Sequence, residues 1–124
     1  MNTYNECLTK SEFDVVSIDF TNAMNLTRIN TQAAMNCTSL TGLLDLSHSK
    51  VTYIGKSTFN GCTNLTGVFF PSSLKYTGDQ EGGSVFKDCT DLQFVRVTSK
   101  NNDAAFELPD TLESIGYQAF YNCK

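Results

Sequence analysis

The sequence has no tryptophan, one histidine and two prolines. One imidazole, His48, leaves little for a centre built on paired histidines. It lies between Ser47 and Ser49, and sequence neighbours do not form a triad, whose members must converge in space. No C-x-x-C occurs, so the short cysteine spacing of zinc sites is absent as well. Five cysteines are an odd number, a poor fit to a closed set of disulfides. No base, nucleophile and oxyanion donor can be assembled, so the expectation is a chain without catalytic residues, cofactor or metal.

Charge is scarce and acidic. Charged residues make up 18% of the chain and the net charge is −4. The basic residues stand singly, which argues against a nucleic-acid face. No apolar run approaches the ~20 residues that span a bilayer. The start, MNTYNECLTKSEF, lacks the basic-then-apolar order of a signal peptide. The glycines of GDQEGGS are not followed by the lysine of a phosphate loop, and the segment reads as an insertion. Asp19 and Asp45 occupy equivalent places, with no third oxygen-rich partner in view to hold a cation.

What is present is a repeat. Cys7, Cys37, Cys62, Cys89 and Cys123 follow at intervals of 30, 25, 27 and 34 residues. Three residues before them stand Tyr4, Ala34, Phe59, Phe86 and Phe120. Five residues before Ala34, Phe59 and Phe120 stand Ile29, Ile54 and Ile115, the last two followed by Gly55 and Gly116. Leu40, Leu65 and Leu92 follow their cysteines at +3; Leu43, Val68 and Val95 follow at +6. The unit reads L-x-x-V-x-V-P-x-x-L-x-x-I-G-x-x-A-F-x-x-C. Thr77 departs from it in the isoleucine place, and DLSHSKV replaces the proline form. Insertions fall at 78–83 and 98–107, between elements, where length costs little.

This unit resembles the BspA-like leucine-rich repeat family, most closely in IGKSTFNGCTNLTGVFFPSSL and LPDTLESIGYQAFYNC. The resemblance runs from Tyr4 to Cys123 and implies an α/β fold: a right-handed leucine-rich-repeat solenoid with a parallel β-sheet on one face. It also implies adhesion or partner recognition, often at a cell surface. One domain over 1–124 is expected, with about four repeats and a half-repeat or cap over 1–12.

Placed on such a coil, LxxVxF gives a strand with Leu65, Val68 and Phe70 inward. SLxxIG gives a second short extended piece. AFxxC gives a short helical or 3₁₀ turn, with Phe and Cys on one face. Gly55 and Gly116 are expected to adopt positive φ, and Pro71 and Pro109 to sit at strand ends. The cysteines then form a buried ladder of small apolar rungs, since stacked equivalent side chains point in parallel rather than toward each other.

The outward rows are read as Val15, Gly42, Gly67, Phe94 and Ser17, Leu44, Phe69, Arg96. Leu44, Phe69, Phe94 and Arg96, with Gly42 and Gly67 as a shallow step, are the candidate face for a protein or glycan partner. Alternatively the chain is a spacer or assembly segment of a longer array. Solenoid ends need caps, so Phe120, Tyr121 and Cys123 are the candidate self-association end.

Overall fold

In the computed structural model, which describes residues 20, 22–78, 83–97 and 107–123, each strand lies beside its counterpart one coil away. The strands are β1 (Arg28–Ile29), β2 (Gly42–Asp45), β3 (Tyr53–Ile54), β4 (Leu65–Phe70), β5 (Tyr76–Thr77), β6 (Phe94–Val97) and β7 (Ser114–Ile115). They form two sheets, in the orders β2-β4-β6 and β1-β3-β5-β7. Every pairing is parallel. The short SLxxIG piece is therefore a sheet of its own, in register Arg28–Tyr53–Tyr76–Ser114 and Ile29–Ile54–Thr77–Ile115.

The expected helical segments are absent: no helix occurs among the described residues. The backbone shows why. In 55–62, the Gly55 carbonyl accepts from the Thr58 amide, and the Phe59 carbonyl from the Cys62 amide. Ser57 and Gly61, third in these two turns, have φ of 58° and 81°. Positive φ at that position marks type II turns. The intervening amides of Ser57, Phe59 and Gly61 donate instead to Gly83, Val85 and Lys87 of the next coil, at 2.7, 2.9 and 2.8 Å. No amide is left for an i→i−4 ladder. Positive φ recurs at Gln32, Asn36, Ser84, Asp88, Gln118 and Asn122. The residue before each described cysteine is thus Asn, Gly, Asp or Asn, the types that tolerate the left-handed region best.

Gly55 and Gly116 are glycines for another reason. Neither has the expected positive φ. A Cβ at Gly55 would strike the backbone of Asn30 and Thr31, and one at Gly116 the backbone of Gly83 and Thr77. Backbones of successive coils approach too closely there for any side chain. Pro71 directly follows β4, and the Pro71 and Pro109 carbonyls accept from the Leu74 and Leu112 amides, closing a turn in each coil.

The core lies between the two sheets and the wall of turns. Leu65, Val68, Phe70, Leu74 and Ile54 are buried as the repeat requires. Phe59, Phe86 and Phe120 stack along the solenoid, with centroids 5.4 and 5.6 Å apart and planes within 9°. Ala34 continues this column with less bulk. Thr77, in an isoleucine position, is buried with its hydroxyl lacking a hydrogen-bond partner. Such a group costs about 1 kcal/mol or more. Thr77→Val keeps the shape and removes the hydroxyl, so it should raise the unfolding free energy by about 1 kcal/mol in urea titration.

Candidate functional site

The outer face of β2-β4-β6 carries the predicted partner-binding residues, but its register differs from the expected one. Leu43 pairs with Gly67, Leu44 with Val68, and Asp45 with Phe69, after a shift between Gly42 and Leu43. The extra residue is Thr66, on β4, which has no partner on β2, while Gly42 opposite it turns at φ +77°. A one-residue slip exchanges the faces of a strand. Leu44 is therefore inward, only 1% exposed, whereas Leu43 is 44% exposed. Gly42 lies beside Leu65 rather than in the outward row. Val15 and Ser17 lie outside the described residues.

The outward rows are Leu43–Gly67–Phe94 and Asp45–Phe69–Arg96. Gly67 is not an open step. A Cβ there would overlap the Phe94 ring, so the ring lies flat over the glycine and buries it. The Phe69 and Phe94 centroids are 5.9 Å apart, and the Arg96 guanidinium carbon is 4.3 Å from the Phe94 centroid. Two aromatic rings and a guanidinium thus form one half-buried cluster across β4 and β6. The Glu107 amide donates to the Val95 carbonyl at 2.8 Å, and the Val97 amide donates to Glu107 Oε1 at 3.2 Å. The return of the second insertion thereby covers part of the β6 edge.

Asp45 and His48 meet Ser47 at the end of β2. The Asp45 carboxylate accepts from the Ser47 amide at 2.9 Å and from its hydroxyl. Ser47 Oγ lies 3.4 Å from His48 Nδ1. The serine is in the middle, whereas a hydrolytic triad needs the imidazole there to take the serine proton. The arrangement is a local Asx turn with an exposed histidine. Among the described residues, no three His, Cys, Asp or Glu side chains are grouped to hold a metal. Asp19 lies outside the described residues.

The cysteines occupy equivalent points, and each described free thiol makes a bond across the coils. Cys62 Sγ donates to the Ala34 carbonyl at 3.3 Å, Cys89 Sγ to Phe59 at 3.1 Å, and Cys123 Sγ to Phe86 at 3.1 Å. Burial pushes the Cys62 thiol up to about 12 and raises Cys89 and Cys123 as well. The raised values keep these thiols protonated at neutral pH. Cys37 departs from the expected row of free thiols: it is disulfide-bonded, while Cys62, Cys89 and Cys123 are free. Cys7 lies outside the described residues.

The last described coil is less covered. Ile115 is 44% exposed, although Ile29 and Ile54 are fully buried. Phe120 and Cys123 are half-buried, and Tyr121 is exposed with Lys87 Nζ 5.5 Å from its ring centroid.

Sequence reasoning missed the outer face of β1-β3-β5-β7. A groove of about 730 Å³ crosses it, lined in part by Arg28, Thr52, Tyr53, Tyr76, Ser114 and Tyr117. The signal was legible: strand alternation sends outward the residue before each isoleucine of the repeat, giving Arg28, Tyr53 and Ser114, with Tyr76 before Thr77.

Comparison with family models matches the BspA type leucine-rich repeat region (6 copies) over residues 11–105 and 100–124. Comparisons with curated proteins and with solved structures returned no match.

Proposed function

The chain belongs to the BspA type leucine-rich repeat family, and from that premise we propose that it is a recognition module binding a macromolecular partner in cell-surface adhesion. The family is typically non-catalytic, and binding is its generic role. Among the described residues, no helix is long and apolar enough to cross a membrane. The module is one repeat domain, and its ligand is held by side chains without a cofactor.

The observation that best supports this reading is the Phe69–Phe94–Arg96 cluster flanked by exposed Leu43. Aromatic rings and arginine are the common anchors of protein interfaces. Here the rings brace one another, so docking orders few additional rotamers. A protein surface fits this broad apolar face better than a glycan does. Leu43→Ser with Phe69→Ser should weaken binding to surface-labelled partner proteins at least tenfold, with the thermal midpoint little changed. Phe94 is left in place because it covers Gly67. Undiminished binding by the double variant, or loss of its fold, would reject this face.

A second reading, assembly through the solenoid end, is favoured by the half-buried Phe120 and Cys123 and the exposed Ile115 and Tyr121. A second copy stacked there would cover the positions that each inner coil covers for its neighbour. Sedimentation equilibrium should then show concentration-dependent dimers, weakened by Ile115→Lys. A monomer at high concentration rejects the self-association.

A further inference from the structure

We propose that the groove on β1-β3-β5-β7 is a second binding site, for a short oligosaccharide bearing a carboxylate, separate from the face on β2-β4-β6. Its floor is one side chain per coil: Arg28, Tyr53, Tyr76 and Ser114 in strict register. Three strand spacings of about 4.8 Å make a row about 14 Å long. Thr52 adds a hydroxyl beside it, and Tyr117, 73% exposed, stands at the rim.

The chemistry of this row selects the ligand class. Tyrosine offers an apolar ring face and a polar tip in one side chain. Two of them on adjacent strands suit a ligand with apolar ring faces and a girdle of hydroxyls, which is a pyranose chain. Ser114, Thr52 and the tyrosine hydroxyls supply the hydrogen bonds that orient such a ligand.

Arg28 decides the charge. Its guanidinium carbon lies 4.0 Å from the Tyr53 ring centroid, and its Nε donates to Asn30 Oδ1 at 3.0 Å. The side chain is thus held over the floor with its terminal nitrogens still able to donate. Among the described residues, no carboxylate pairs with it. A guanidinium so placed binds a carboxylate bidentately. At the other end Tyr76 donates to Glu113 Oε1 at 3.4 Å, so that end is acidic and suits neutral hydroxyl donors. The groove is therefore polarised along its length, with the carboxylate-bearing sugar at Arg28.

Other occupants fit less well. An added peptide strand needs an unpaired sheet edge, and the floor strands β3 and β5 are paired on both sides. A nucleic acid needs several cations, and this row has one, in a chain of net charge −4.

The test uses the whole chain and three probes: a tetrasaccharide of N-acetylglucosamine ended by a single glucuronate, neutral chitotetraose, and a phosphorylated monosaccharide. Binding is read by saturation-transfer NMR and by tyrosine fluorescence, which no tryptophan obscures. The tetrasaccharide should bind more tightly than chitotetraose. Tyr76→Ala should weaken it at least tenfold, while Tyr76→Phe, which keeps the ring, should weaken it much less. Arg28→Gln should abolish the preference for the acidic sugar, and the Leu43→Ser, Phe69→Ser variant should bind as the parent does. Circular dichroism of each variant checks the fold, and these surface side chains can be exchanged without opening the core. The inference is overturned if no acidic saccharide binds at millimolar concentration. It is equally overturned if the Tyr76 and Arg28 variants bind like the parent, or if the phosphorylated monosaccharide binds better than the tetrasaccharide.

Discussion

Replacing Phe86 by alanine will lower the unfolding free energy by about 4 kcal/mol, close to the whole stability of many small domains. Phe86 is the middle ring of the column, fully buried, and stacked on Phe59 at 5.4 Å and Phe120 at 5.6 Å. It also meets Phe70 edge-on at 6.0 Å, which ties the wall of turns to β4. Removing it loses the burial of a large side chain, leaves a cavity and breaks three ring contacts, each worth about 1 kcal/mol beyond area. The site cannot collapse easily. The Phe86 amide donates to Ala119 at 2.8 Å, and its carbonyl accepts from the Cys123 thiol, so the backbone is pinned on the side of the following coil. Phe120→Ala, at a half-buried position, should cost about half as much. A solenoid is held by nearest-neighbour interfaces, so the Phe86 variant should also unfold less cooperatively. Urea titration followed by circular dichroism measures both effects. Equal losses for the two variants, or a loss under about 1 kcal/mol for Phe86→Ala, would show that the column is not the main tie between coils.

The repeat itself was legible because burial constrains it. Leu65, Val68, Phe70, Ile54, Phe59 and Cys62 must all fall inside a coil, and their spacing states the coil length. Other features were not read correctly, each for a separate reason. Leu43 and Leu44 are equally apolar, so hydrophobicity cannot say which points inward; the register shift opposite Gly42, with Thr66 of β4 unpaired, decides it. The F-x-x-C segments have the i, i+3 spacing of a helix, but that spacing also fits successive tight turns. The discriminating residues were Asn36, Gly61, Asp88 and Asn122 before the cysteines, which favour left-handed backbone over helix. Gly55 and Gly116 look like turn glycines in sequence, yet only the stacked coil shows the backbone each one admits. The tyrosine groove was written in the residues before the isoleucines of the repeat. It was passed over because two-residue strands give too short an alternation to stand out.

The thiol ladder makes stability depend on alkaline pH. Burial raises the Cys62 thiol from an ordinary 9.0 to about 12, and it raises Cys89 and Cys123 in the same direction. Desolvation of the thiolate is the main cause; the backbone hydrogen bond opposes it only in part. Between pH 9 and 12 the unfolded chain has released protons that the native chain still holds. Unfolding is then favoured as pH rises. The stabilisation is complete below about pH 9 and is lost progressively toward pH 12. Each fully buried thiol contributes a slope on the order of 1 kcal/mol per pH unit in this window. Cys123, half-buried, contributes less. Cys62→Ser with Cys89→Ser retains a donor for the Ala34 and Phe59 carbonyls but does not titrate here. The double variant should lose some stability at pH 7 and show a clearly shallower fall between pH 9 and 12. All other groups are common to both proteins and cancel in the comparison. Parallel curves for parent and variant in urea titrations across this range would refute the assignment. So would rapid alkylation of Cys62 and Cys89 in the native protein at pH 8, since a protonated thiol inside the coil is a poor nucleophile.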